Sequence, residues 1–177
     1  MAIHQLSSPP DPDVVLTETN WDSLEHALGP AREASGMPAA PLEATPEGRA
    51  RSPRYLDHVL HHQNTLYDAT VPAALYVAAI LPNPRAAATA ESTSRDHGFP
   101  PHDYAPAVHI QEIRPLLFQA AHAHTNDPDL RVRQAAVSAC MPLLDDPRLR
   151  HHRTALAPLM RDVLGTSARW QYRERAY

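Results

Sequence analysis

The chain has 177 residues and a formal net charge of −4 at pH 7, which suits one domain and disfavours a general nucleic-acid binder. Apolar residues make up 43% of it but aromatic residues only 6%, so the core is expected to bury a modest area per side chain. All sixteen basic residues are arginine, and their scatter indicates codon bias in a GC-rich bacterial genome. No segment resembles a signal peptide or a membrane span, so we predict a cytoplasmic protein.

The beginning of the chain predicts little regular structure. Residues 1–20 are polar and rich in proline, and we expect them to form a flexible leader. Apolar residues at helical spacing then predict a helix of about two turns over 21–28, which a Gly-Pro pair ends. Residues 31–51 combine proline and glycine without periodicity, which predicts a loop or an eroded helix.

Two clearer helices are predicted before the second half of the chain. A Ser-Pro pair opens an apolar stripe over 52–62, and the segment 70–81 is apolar on every side. A helix without a polar face is expected to be buried on several sides. Residues 85–103 are polar and rich in proline, so we predict a loop there with at most a short helix at 85–90.

Three amphipathic helices are predicted in the C-terminal part, over 104–124, 128–144 and 149–164. The links between them are too short for anything but antiparallel neighbours. Each helix contains an internal proline, which removes one backbone hydrogen bond and is expected to kink the helix: Pro115, Pro142 and Pro158.

A loose self-match links this part to the end of the chain. The segment from Asp127 to Ala136 recurs 40 residues later, from Ser167 to Ala176. Each copy begins with a residue able to cap a helix, followed by an apolar residue, an arginine and an alanine. The matched positions are Asp127, Val132, Arg133 and Ala136 in the first copy and Ser167, Tyr172, Arg173 and Ala176 in the second.

The two matched segments resemble the second helix of a HEAT repeat. The resemblance to HEAT repeats as a whole covers residues 104–177. The patterns at 21–28 and 62–70 are similar to bacterial HEAT-like proteins of the actinomycete type. The resemblance implies an all-α fold, a short α-solenoid of antiparallel helix pairs with Pro-rich loops in its N-terminal half. It also implies a single helical domain over 21–177, irregular over 21–103 and regular over 104–177.

The function that the resemblance implies is binding without catalysis. We expect a protein–protein interaction module, such as an immunity or accessory protein that binds a toxin or a regulatory partner. Arg133 and Arg173 are then expected to hold adjoining turns of the stack together. Since the last predicted helix is short and no capping unit follows it, we expect a truncated gene product, self-association through this helix, or a partner covering Tyr172 and Ala176.

A second interpretation is a nucleic-acid-binding HEAT-like protein of the DNA-repair glycosylase type. It requires a basic groove. The net charge of −4 disfavours that groove, so nucleic acid is an unlikely partner. A cluster on one predicted helix keeps the interpretation open: Arg148, Arg150, Arg153 and Arg161.

Candidate chemical groups are few. His58, His61 and His62 share a helix face and could bind zinc, which would make a metal-dependent enzyme a third interpretation; in a histidine-rich sequence they equally suit a polar helix end. We therefore predict no cofactor, no resident metal and no enzymatic activity. The other histidine pairs, 122/124 and 151/152, are expected to be solvated. Cys140 is expected to be a buried inert thiol, and Asp145 and Asp146 are expected to be helix caps.

Overall fold

The computed structural model describes residues 6, 8–35, 66–83 and 104–164, and this part of the chain is mostly helical, as predicted. Among these residues no helix combines the length and the apolar character needed to cross a membrane. Several predictions lie outside the described residues: the helix over 52–62 with His58, His61 and His62, the helix at 85–90, and the second repeat copy with Ser167, Tyr172, Arg173 and Ala176.

Helix α1, Pro12–Glu18, lies where we predicted part of a flexible leader. The Asp11 side chain caps it by accepting a hydrogen bond from the Asp13 amide at 2.8 Å, and Pro12 occupies the first helical turn, where a missing N–H costs nothing. Val15 anchors the helix because its side chain is only 1% exposed. The sequence prediction was therefore wrong for residues 12–18, where capping and one buried side chain outweigh the polar composition.

The predicted helix over 21–28 does not form. A short 3₁₀-helix, Trp21–Ser23, leads into a hairpin of two strands, β1 (Glu25–His26) and β2 (Gly29–Pro30), which pair antiparallel. Gly29 has a φ of 121°, a conformation that glycine adopts without strain, and it begins β2 directly after the two-residue turn at 27–28. Tertiary contacts hold this arrangement, because the Trp21 indole Nε1 donates to the Leu16 carbonyl at 3.1 Å.

A second 3₁₀-helix, Arg32–Ser35, follows the hairpin at the start of the segment that we predicted to be a loop. Its Ala34, together with Ala31, packs against the buried Trp21. Small side chains allow this close approach.

Helix α2, Thr70–Ile80, confirms the predicted buried helix. It packs between α1 and the first helix of the C-terminal part, because its apolar surface extends around the whole helix. The largest apolar cluster of the described residues forms here, from Val15, Val71, Leu75, Tyr76, Ile80, Ile113 and Leu116.

The three C-terminal helices form close to their predicted positions. They are α3, Ala105–His122; α4, Leu130–Leu143; and a segmented third unit, comprising the 3₁₀-helix Pro147–His152, α5, Arg153–Leu159, and a π-helical turn, Met160–Leu164. The π-helical turn follows Pro158, whose missing N–H breaks the regular hydrogen-bond ladder of α5.

Helices that are consecutive in the described chain pack against one another. Helix α1 contacts α2, α2 contacts α3, and α3 contacts α4, whereas α4 contacts the π-helical turn, which lies beyond the 3₁₀-helix and α5. The C-terminal core forms two further clusters, one around Phe118, Cys140 and Leu156 and one around Val137 and Val163. The apolar interior is therefore distributed along the chain.

Candidate functional site

The chain between α4 and α5 forms a polar joint, which we define as Asp145, Asp146, Arg148 and Arg153. Asp146 caps the 3₁₀-helix by accepting from the Arg148 amide at 2.9 Å, and Pro147 fills the first turn. Its carboxylate also accepts from the Arg148 guanidinium, with Nε at 2.9 and 3.1 Å from the two oxygens. The prediction that Asp146 is a cap is confirmed, although the Asp146 carboxylate is only 5% exposed and its pairing with Arg148 was not foreseen.

Arg148 also connects this joint to α3. Its Nη2 donates to the Gln111 carbonyl, and its Nη1 lies 3.5 Å from the Glu112 carbonyl. The Gln111 carbonyl has no donor within its own helix, because the residue four positions later is Pro115. The guanidinium therefore supplies the hydrogen bond that the internal proline removes.

Arg153 binds the end of α4 in a similar way. Its Nε and Nη2 donate to the Leu144 carbonyl at 3.2 and 3.0 Å, and Nη2 also lies 3.1 Å from the Asp145 carboxylate. Leu144 is the C-cap of α4, where carbonyls lack intrahelical donors. The joint thus uses one arginine for each of two unpaired carbonyls.

The electrostatics of the joint favour fixed charges. Hydrogen bonds from the Arg148 side chain hold the pKa of Asp146 below its usual value, against an opposing effect of burial. The same pairing raises the pKa of Arg148. Both groups remain ionised at neutral pH, so the joint is suited to holding helices together rather than to transferring protons.

These contacts bear on the arginine cluster that suggested nucleic-acid binding. The guanidinium groups of Arg148 and Arg153 are bound to carbonyls and carboxylates of the chain itself. Arg150 and Arg161 are exposed. Two of the four arginines that were candidates for binding nucleic-acid phosphates are therefore already hydrogen-bonded within the fold.

An aromatic and imidazole cluster lies beside the joint, and we call Phe118, His122, His151 and His152 the imidazole cluster. The His152 ring lies 4.6 Å from Phe118, 5.6 Å from His122 and 4.0 Å from His151, measured between centroids. Phe118 is buried, whereas His122 and His152 are half-buried, so the prediction of simply solvated histidines was wrong for these two. Burial, followed by the neighbouring imidazoles of His151 and His122, lowers the pKa of His152.

Within the part of the chain that the structure describes, no group of side chains forms a metal site. No three histidine, cysteine or carboxylate side chains of these residues are placed to bind one ion. The first candidates, His58, His61 and His62, lie outside it. The imidazole cluster is therefore a packing arrangement around Phe118 rather than a metal centre.

A buried histidine in the hairpin was missed by sequence analysis. His26 is 4% exposed, its Nδ1 accepts from the Leu28 amide at 3.1 Å, and its Nε2 lies 2.9 Å from the Glu33 carboxylate. Since Nδ1 is an acceptor, the proton is on Nε2, which donates to Glu33. Backbone hydrogen bonding and this contact lower the pKa of Glu33. Both ring nitrogens are occupied, so the pair is structural; only its tertiary neighbours reveal it.

Cys140 is confirmed as a buried thiol. Its side chain is fully buried between α3, α4 and α5, and burial raises its pKa to about 12. A thiol that stays protonated and shielded from solvent is a poor nucleophile.

The first copy of the repeat is described in full. Val132 and Ala136 are buried, while Asp129 rather than Asp127 caps α4, by accepting from the Arg131 amide at 2.8 Å. Asp127 instead accepts from the Asp129 amide at 2.9 Å. The Arg133 Nε is buried and has no hydrogen-bond partner among the described residues, so its pairing within a stack stays a prediction.

Comparison with protein-family models, with curated proteins and with solved structures finds no significant match. The HEAT-like interpretation of residues 104–177 therefore stays a resemblance. Any functional conclusion has to be drawn from the packing and the chemistry of the described residues.

Proposed function

We propose that this chain is a non-catalytic protein-binding module built as a short HEAT-like α-solenoid. The observation that carries the proposal is the order of packing, in which each of the helices α1 to α4 contacts the next one within the described part of the chain. Nearest-neighbour packing is the property that distinguishes a helical stack from a bundle around a single core. A stack leaves long helix faces exposed, and such faces bind other macromolecules.

The polar joint supports antiparallel pairing of α3 and α4. Arg148 follows the end of α4, yet it bonds to carbonyls of Gln111 and Glu112 in the first half of α3. Helix α4 therefore runs back along α3 from the link that joins them. One such pair, held at its end by two arginines, is the unit that a solenoid repeats.

The reactive groups also favour binding over catalysis. Cys140 is buried and its thiol pKa is raised to about 12. Both nitrogens of His26 are hydrogen-bonded, and Asp146 is paired with Arg148. Each of these groups stabilises the fold, which supports a module that acts by contact.

A protein is the partner class that we propose, with an immunity or accessory role in the cytoplasm. A toxin or regulatory protein would contact the exposed faces of the stack. Exposed apolar side chains that such a partner could cover include Leu28, Val108 and Leu130, which are 76%, 36% and 47% exposed.

The decisive experiment is capture followed by reconstitution. The purified full chain is used as bait in a lysate of its native host, and each captured protein is then produced and titrated against the chain by calorimetry. We expect one saturable complex, weakened at least about tenfold by Leu28→Asp, Val108→Asp or Leu130→Asp, because a charge in a desolvated contact is costly.

A matched control keeps this test specific. Gln119 is an exposed polar residue of α3, and Gln119→Asp is expected to leave both the helical circular dichroism spectrum and the affinity unchanged. Binding to duplex DNA that weakens steeply with salt, with no protein partner, would support the nucleic-acid interpretation instead. Turnover of a small substrate by the purified chain would contradict a non-catalytic role.

A further inference from the structure

The imidazole cluster joins two parts of the fold that are far apart in sequence. Phe118 and His122 belong to α3, whereas His151 and His152 end the 3₁₀-helix that follows α4. The Phe118 ring lies 5.3 Å from His122 and 4.6 Å from His152, so it is flanked by an imidazole from each element. Imidazole rings are therefore part of the contact between α3 and the 3₁₀-helix, beside the buried Leu149 and the hydrogen bonds of Arg148.

The charged groups around the cluster do little to balance added positive charge. On the elements packed here they are Glu112 and Arg114 of α3, His124 and Asp127 of the following link, Asp145 and Asp146 after α4, Arg148 and Arg150 of the 3₁₀-helix, and Arg153 of α5. Asp145 and Asp146 are paired with Arg153 and Arg148, and Asp127 lies 3.7 Å from His124. Glu112 acts on Arg148. Asp145 and Asp146 are therefore already paired with arginines of the fold.

We propose that the imidazole cluster is a pH-sensitive contact, which helps to hold the 3₁₀-helix against α3 at neutral pH and loosens in mildly acidic solution. This inference goes beyond the proposed function and does not depend on it. Like charges at ring separations of 4.0 to 5.6 Å repel each other, and a half-buried imidazolium also loses part of its hydration.

The sign of the effect follows from His152. Its folded-state pKa is lowered, first by burial and then by His151 and His122. A histidine with a lowered folded pKa contributes stability that is present above its unfolded pKa of about 6.5 and is lost as the pH falls through the folded pKa. Attraction between an imidazolium and the Phe118 face would oppose this loss, so the measured pH dependence reports the balance of the two effects. The contact is therefore expected to weaken in mildly acidic solution.

Thermal unfolding of the full chain between pH 7.5 and 5.0 tests the proposal. His152→Phe keeps an aromatic ring next to Phe118 and removes the titrating nitrogens. We expect this variant to lose about 2–4 °C less in Tm than the wild type over that pH range, the scale of a single-residue effect in a chain of this size. His109→Gln, at an exposed position of the same helix, is the control and should follow the wild type.

A local readout separates the cluster from other titrating groups. Amide hydrogen exchange at residues 118–122 and 148–153, corrected for intrinsic rates, is expected to accelerate at least about threefold in the wild type at pH 5.5 relative to pH 7.5. It should stay unchanged in His152→Phe. Should that variant fail to fold, His122→Phe provides the same measurement on the opposite element. Equal acceleration in the wild type and in a folded phenylalanine variant would overturn the proposal.

Discussion

The two ends of the described structure are stabilised in different ways. The first region, comprising α1, the hairpin and α2, is held chiefly by apolar side chains such as Val15, Leu75 and Tyr76, each at most 2% exposed. The second region, α3 to the π-helical turn, adds charged groups that bond to backbone carbonyls at its helix joint. The comparison shows that helices of one chain can be joined by burial of apolar side chains or by specific polar contacts.

The difference has a physical origin in the helices themselves. Helix α2 carries no charged residue, so packing it on several sides buries little that needs a polar partner. Each helix of the second region contains an internal proline, and two carbonyls near the joint lack donors within their own helices. Arginines from the following segment satisfy those two carbonyls.

The largest expected effect concerns the accessibility of the second region. Because burial raises the pKa of Cys140 from an ordinary 9.0 to about 12, the reactive thiolate at pH 8 is about 1,000-fold scarcer in the folded chain than in the unfolded one. We expect iodoacetamide to modify Cys140 only through opening events, measured by mass spectrometry over time. Cys140→Ser controls for modification at other residues. Rapid modification of the folded chain would contradict this account, and an opening free energy below that of global unfolding would show that the second region opens alone.

The next largest effect is expected in the first region. Leu75→Ala removes a side chain that is 1% exposed and should lower the free energy of unfolding by about 2–5 kcal/mol in urea denaturation. Leu28→Ala, at a position that is 76% exposed, should change it by less than about 0.5 kcal/mol. A loss below about 1 kcal/mol for Leu75→Ala would mean that burial does not dominate this region.

A double-mutant cycle tests whether the polar joint compensates for the proline. Arg148→Ala should lower the free energy of unfolding by about 1–3 kcal/mol, although the Arg148 side chain is 53% exposed. It leaves the buried Asp146 carboxylate with only the backbone amide of residue 148 and the Gln111 carbonyl without a donor. In a Pro115→Ala background the helix regains its own donor, so the cost should fall by about 0.5–1.5 kcal/mol.

The exposed neighbour Arg150 provides the control for this cycle. Arg150→Ala should change the unfolding free energy by less than about 0.5 kcal/mol in either background, as measured in urea. Additive costs of Pro115→Ala and Arg148→Ala would show that the two residues act independently.

The smallest expected effect appears in acid. The pKa of Asp146 is lowered chiefly by hydrogen bonds from Arg148, so its contribution is present above its unfolded pKa of about 3.9 and is lost as the pH falls through the folded value. Between pH 5 and 2.5, the free energy of unfolding of Asp146→Asn should therefore fall by about 1 kcal/mol less than that of the wild type. Glu33→Gln, in the first region, should reduce the acid-induced loss of unfolding free energy by less than Asp146→Asn does, because the Glu33 side chain is 54% exposed. If the unfolding free energy of Asp146→Asn falls with pH as steeply as that of the wild type, the Asp146–Arg148 pair does not cause the loss of stability in acid.

Local sequence patterns were sufficient for the helices with strong periodicity. Helices α3 and α4 form where apolar spacing predicted them, α2 forms where an uninterrupted apolar segment predicted it, and the internal prolines were correctly placed within the helices. Periodicity failed at 21–28, where the same apolar residues pack around a hairpin whose turn depends on Gly29. Apolar spacing cannot distinguish these outcomes, because Trp21 is buried by contacts with residues outside the segment.

The candidate site was visible only in part. Asp146 was predicted as a cap from the acidic pair that separates two predicted helices, because capping depends on residues next to each other in the chain. Arg148, however, was grouped with other arginines as a basic patch, and its bonds to α3 depend on residues 36 and 37 positions earlier. His26 gave no sequence signal, since its role depends on a tertiary contact with Glu33.

The sequence by itself determined the helical character, the buried position of α2 and the thiol environment of Cys140, because each of these follows from apolar residues close together in the chain. Only the tertiary structure decided which polar groups meet. The carbonyl that Pro115 leaves unpaired can be identified in the sequence, but the arginine that binds it is selected by how α4 folds back along α3. Polar partnership over such distances depends on the packing of whole helices, which local patterns do not specify.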